Sequence, residues 1–86
     1  MPNEQMRIQV QFFSQLKEIV GAGETEIDLA AGATVADLLA ELYLRYPELE
    51  KWDRDILIGA GVEFVERAHP IQPNDEIAIM PPVQGG

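Results

Sequence analysis

The residues with the clearest chemical potential close the sequence: Met80-Pro81-Pro82-Val83-Gln84-Gly85-Gly86. Proline has no N–H to donate and holds φ near ~−65°, so Pro81-Pro82 ends a strand and stiffens an extended exit. The two glycines carry no Cβ, and a Gly-Gly segment is the narrowest backbone a chain has. It threads a channel that any side chain would block. With Gly86 as the chain's end, its α-carboxylate is an unhindered acid that can be delivered deep into another protein.

Little else in the chain offers chemistry. There is no cysteine, which removes thiol catalysis, disulfides, iron–sulfur ligation and most structural zinc patterns. The one histidine, His69, precedes Pro70 in an expected turn and reads as a loop residue. Gly59-Ala60-Gly61 suggests a phosphate-cradling loop, but no Lys-Ser/Thr follows and the next residues are β-type, so a flexible turn is expected. No metal site and no bound cofactor are expected.

Eighty-six residues suffice for one domain with one core. Six basic against fifteen acidic residues give a net charge of −9, which argues against nucleic acid or an anionic membrane as partner and for a basic protein surface. No apolar run reaches a membrane-spanning length, and Met1-Pro2-Asn3-Glu4-Gln5 lacks the pattern of a signal peptide, so a cytoplasmic location is expected. Residues 1–80 are expected to form the folded body, with 1–5 disordered and 81–86 a flexible tail.

The elements that must hold that tail follow from hydrophobic periodicity. Met6, Ile8, Val10 and Phe12 alternate with Arg7, Gln9 and Gln11, a half-buried strand, and Phe13 breaks the pattern by placing an aromatic on the polar side. Ser14 is expected to cap a short helix carrying Leu16, Ile19 and Val20, with Gly21 as its stop. Thr25, Ile27 and Leu29 point inward from a second strand, antiparallel to the first, with Glu24, Glu26 and Asp28 outward. Thr34 and Asp37 form a capping box for a long helix whose Val35, Leu38, Leu39, Leu42 and Tyr46 make one apolar stripe, ended by Pro47. Glu48 to Trp52 adds a helical turn. Ile56 to Ile58 and Val62 to Val65 are expected as short strands, and Glu76 to Met80 as a central strand apolar on both faces.

This α+β order, closing on Pro-Pro-x-x-Gly-Gly, resembles the ubiquitin-like β-grasp fold, with a mixed sheet of about five strands around one long helix. Within it, the chain is similar to the small, sulfur-carrying subunits of molybdopterin synthases. The resemblance rests on Phe12-Phe13-Ser14-Gln15-Leu16-Lys17-Glu18-Ile19-Val20-Gly21, Gly32-Ala33-Thr34-Val35-Ala36-Asp37-Leu38-Leu39, Arg45-Tyr46-Pro47-Glu48-Leu49, and the segment from Asp75 to Gly86. Lys17 stands where that family usually has arginine. The resemblance implies that Gly86 is the reacting residue. An ATP-dependent partner adenylates it, a sulfur donor converts it to a thiocarboxylate, and the sulfur passes to cyclic pyranopterin monophosphate. It also implies a large-subunit partner in a heterotetramer of two small and two large subunits. Phe13, Lys17, Met80, Pro81, Pro82, Val83, Gln84 and Gly85 are the expected partner-binding residues. ATP belongs to the adenylating partner. A sulfur carrier for thiamine or transfer-RNA thiolation, and a ubiquitin-like modifier joined to lysine through Gly86, remain alternatives with the same fold.

Overall fold

The computed structural model describes residues 5–82. Its elements are β1 (Gln5–Phe12), α1 (Ser14–Val20), β2 (Glu24–Ala30), α2 (Val35–Arg45), a 3-10 helix (Pro47–Trp52), β3 (Leu57–Ala60), β4 (Glu63–Val65) and β5 (Glu76–Met80). The strands form one sheet in the order β2-β1-β5-β3-β4. β5 runs parallel to β1 and antiparallel to β3, and the β1–β2 and β3–β4 pairs are antiparallel. This is the β-grasp arrangement, and it puts β5 in the middle of the sheet.

One face of the sheet makes the core. Met6, Ile8, Val10 and Phe12 of β1 are buried with Ile27 and Leu29 of β2, Ile58 of β3, and Ile77 and Ile79 of β5. The α2 stripe lies against them: Val35, Leu38, Leu39 and Leu42 are all buried, and the Tyr46 ring packs edge-on against Phe12 at 6.1 Å between centroids. Leu49 of the 3-10 helix is buried, and Trp52 lies partly buried against the same cluster.

The start of α2 shows how local chemistry anchors the helix. Thr34 Oγ1 accepts from the Asp37 N–H and Asp37 accepts from the Thr34 N–H, the expected capping box. Two further orphan donors are met by a loop distant in sequence: the Val35 N–H reaches the His69 carbonyl and the Ala36 N–H the Arg67 carbonyl. At the end of α1, Gly21 adopts φ +85°, a left-handed C-terminal stop that a side chain would strain.

Several expectations are corrected. Ser14 does not cap α1: Phe13 occupies the capping position without a side-chain hydrogen bond, and Ser14 is the first helical residue, at φ +53°. The chain leaves β1 extended through Phe13, whose N–H is tied to Ile79, and turns into the helix at Ser14, one residue earlier than the hydroxyl pattern suggests. Gln5 is not disordered but opens β1 opposite Ala30. The strand expected at Ile56–Ile58 is shifted to Leu57–Ala60, so Gly59 and Ala60 are strand residues paired to Ala78 and Ile77. The turn is therefore confined to Gly61 and Val62, and β4 begins at Glu63.

Candidate functional site

β5 is central, yet among the described residues its second face is not fully covered. Ala78 and Met80 point to the side of the sheet opposite α2 and are half-exposed. Register carries this open face across the strands: Gln11, Ala78, Gly59 and Phe64 form one row, and Met80 pairs with Leu57 in the next. The Phe13 N–H donates to the Ile79 carbonyl at 3.2 Å, which sets Phe13 beside Met80. Phe13 is 43% exposed, Phe64 72%, and Val62 at the β3–β4 turn is fully exposed.

Together Phe13, Val62, Phe64, Ala78 and Met80 line a groove of about 260 Å³ floored by Gly59. A Cβ at Gly59 would stand 3.3 Å from Met80 Cε, so glycine there lets the Met80 side chain lie flat against the sheet. An apolar patch of this kind, at the point where β5 ends and Pro81-Pro82 begin, is a liability in an isolated domain and an asset at an interface.

Of the residues singled out in the sequence, Phe13 and Met80 meet in this groove. Lys17 does not enter it. It lines a neighbouring hollow of about 700 Å³ with Gln11, Ser14 and Glu24, and Phe13 borders both. Pro81 and Pro82 are half-exposed just beyond β5. Val83, Gln84, Gly85 and Gly86 lie outside the described residues. Phe64 and Val62 were missed. The signal for Phe64 was an aromatic in a three-residue strand, and its facing depends on the pairing with Gly59.

The rest of the open face is polar. Arg7 lies within 3.3 Å of Asp28 and 3.8 Å of Glu26, and these exposed pairs contribute little stability. A second polar cluster sits away from the groove. Asp53 Oδ1 accepts from Tyr43 Oη at 2.6 Å and from Arg67 Nη1 at 2.7 Å, while Arg67 Nη2 donates to the Asp53 carbonyl. The Arg67 guanidinium, and then the Tyr43 hydroxyl, hold the Asp53 carboxyl below its usual range. Burial, reinforced by Asp53, pushes the Tyr43 phenol upward. The cluster fastens α2, the end of the 3-10 helix and the 66–70 loop to one another. His69 lies in that loop, its Nε2 3.9 Å from Asp75. Among the described residues no group of three or more His, Cys, Asp or Glu is placed to hold a metal. No helix of the described residues is long and apolar enough to cross a membrane.

The family model of the ThiS family matches residues 10–86, from the middle of β1 through the Gly-Gly pair. The chain belongs to the ThiS family. It is 32% identical over 84 residues to the molybdopterin synthase sulfur carrier subunit of Escherichia coli, covering 92% of this chain and 99% of that one. Among solved structures it superposes on a Pyrococcus furiosus protein assigned as molybdopterin converting factor subunit 1, with a TM-score of 0.83, 26% identity, and coverage of 91% of this chain and 99% of the other. It also superposes on small archaeal modifier protein 1 of Methanosarcina acetivorans, with a TM-score of 0.76, 28% identity, and coverage of 96% and 99%. The match thus runs over the body and the terminal motif together, as a ubiquitin-like β-grasp domain with its tail.

Proposed function

We propose that this chain is the sulfur-carrier subunit of a cytoplasmic molybdopterin synthase, with Gly86 as the residue that carries sulfur. The observation that carries the reading is the apolar groove of Phe13, Phe64 and Met80 at the root of the segment that leads to Gly85-Gly86. A docking face at that point lets a partner seize the body while the terminus enters its active site. The family membership and the sulfur-carrier relatives support the same reading.

The chemistry needs an activated terminus, since a carboxylate cannot lose oxide. An ATP-dependent partner joins the Gly86 carboxylate to AMP with release of pyrophosphate. Sulfide supplied by a sulfur donor then attacks the acyl carbon, the C–O bond to AMP breaks with AMP leaving, and the product is a thiocarboxylate. That group is ionised at neutral pH and more nucleophilic than the carboxylate. Within the large subunit it delivers sulfur to cyclic pyranopterin monophosphate, and two such tails supply the two sulfurs of a dithiolene. This chain binds no cofactor of its own in that scheme. The partner assembly is a heterotetramer of two small and two large subunits, with Lys17 beside the docking face as a cationic contact.

Incubation with an adenylating partner, ATP and a sulfur source should raise the intact mass by the difference between sulfur and oxygen. Unchanged mass after demonstrated AMP release would overturn the thiocarboxylate. One alanine added after Gly86 moves the carboxylate by ~3.3–3.6 Å, more than a reacting atom tolerates, so sulfur transfer should fall to background with stability unchanged. The likeness to small archaeal modifier protein 1 favours a second reading, in which Gly86 joins a lysine of another protein. Lysine conjugates formed in place of thiocarboxylate would select it. Transfer to a thiamine precursor or to transfer RNA in place of the pterin would redirect the pathway and leave the carrier role intact.

A further inference from the structure

At the opposite side of the sheet from β4, β2 is an edge strand, paired only with β1 among the described residues. Its pairing is regular over seven successive residues, with no proline, glycine or bulge within it. The direction of its backbone groups follows from one hydrogen bond. The Phe12 N–H donates to the Gly23 carbonyl at 2.9 Å, so Phe12 and Gly23 are a hydrogen-bonded pair. Bonded pairs alternate along an antiparallel ladder. Thr25, Ile27 and Leu29 therefore turn their N–H and C=O toward β1, and Glu24, Glu26 and Asp28 turn theirs away from the sheet. Each of these three residues presents an N–H and a C=O to whatever lies alongside.

Edges of this length are usually blunted by lysine, proline or a bulge, because they template further pairing. Here the open-face side chains are Glu24, Glu26 and Asp28. Among the described residues Arg7 pairs with Glu26 and Asp28 and Lys17 shares a hollow with Glu24, so three acids outnumber two bases along the row. On the other face, where β2 ends against α2, a groove of about 500 Å³ is lined by Leu29, Ala33 and Ala40, with the carboxylates of Asp37 and Glu41 at its side. Side chains of an added strand would fall alternately on these two surfaces.

We propose that the β2 edge binds an extended basic segment of a partner protein by strand addition. Its occupant has Lys or Arg opposite Glu24, Glu26 and Asp28, and small aliphatic residues between them that face the α2 groove. A second copy of this chain is the wrong occupant, since β2 against β2 sets acidic rows side by side. The site is separate from the Phe13–Phe64–Met80 groove, so a partner held at the β2 edge leaves the root of the tail free.

The test is titration of the full chain with the peptide acetyl-(Lys-Val)₃-Lys-amide at low salt, followed by amide NMR. The amides of Glu24, Glu26 and Asp28 should shift and exchange more slowly with solvent, while those of Thr25, Ile27 and Leu29 change less. Glu26→Pro removes an outward N–H without touching the ladder to β1 and should weaken binding by about tenfold or more. The same peptide with N-methyl groups on alternate residues tests the backbone without altering the protein, and it should lose binding equally. Equal binding of the methylated peptide would reduce the effect to charge attraction and overturn the proposal. So would shifts centred on Phe13, Phe64 and Met80, or no shift at the edge.

Discussion

Phe64→Ser separates docking from folding. The ring projects from β4 on the open face opposite Gly59 and is 72% exposed. A phenylalanine carries about 200 Å² of surface, so a partner that covers the ring removes about 140 Å² from water. At roughly 25 cal/mol per Å² that burial stabilises the complex by about 3.5 kcal/mol, or about 300-fold in Kd. In the free domain the ring touches only its cross-strand neighbourhood, a contribution of about 0.2–1 kcal/mol. Calorimetric titration against the large subunit of the synthase should therefore show the large loss, while urea unfolding of the isolated variant shifts by less than about 1 kcal/mol. Ile79→Ala is the contrasting control. Ile79 is fully buried on the α2 side of β5, and its truncation should cost about 2–5 kcal/mol of stability. A Phe64→Ser variant that binds within threefold of the parent, or that unfolds as readily as Ile79→Ala, refutes the assignment of this face as the docking surface.

Thr34→Ala removes the capping box at the start of α2 and should lower stability by about 0.5–2 kcal/mol, read as a shift in urea midpoint at constant slope. Asp53 has a pKa lowered by Arg67 and Tyr43, so its contribution is present above the unfolded carboxylate pKa and is lost as pH falls through the lower folded value. The stability gap between the parent and Asp53→Asn should thus be constant near neutral pH and close in acid below the ordinary aspartate pKa. A gap unchanged down to pH values at which Asp53 is protonated would show that Arg67 does not act through the charge.

The parts legible in the sequence are those with local causes. The alternation of β1 and β2, the α2 stripe and the Thr34–Asp37 cap are each set by residues within a few positions of one another. What was not legible depends on pairing across the chain. Gly59 looked like part of a turn until β5 lay beside it, because only the sheet shows that Met80 needs the missing Cβ. Phe64 is one aromatic in a three-residue strand, and a strand that short has no period from which to read a face. Tyr43, Asp53 and Arg67 are separated by ten and fourteen residues and meet only when the 3-10 helix and the 66–70 loop close on α2. The Ser14 expectation failed differently. A hydroxyl before an apolar stretch is a general cap signal, but the Phe13–Ile79 hydrogen bond fixes where the chain bends.

Parallel pairing of β1 with β5 links these features to function. It places the end of β5 beside the β1–α1 corner, so Phe13 and Met80, sixty-seven positions apart in sequence, become neighbours at the root of the tail. From Pro82 to Gly86 there are four residues, and at ~3.3–3.6 Å each an extended chain spans no more than about 14 Å. On the proposed reading, the carboxylate of Gly86 could reach no farther than that span from Pro82, which follows directly on β5. A partner that grips this groove must hold its own active site within that reach, and one that grips the body elsewhere need not. On the same reading, docking on the open face would set the depth to which Gly86 is inserted, and a single added residue at the terminus should then abolish transfer with the fold intact.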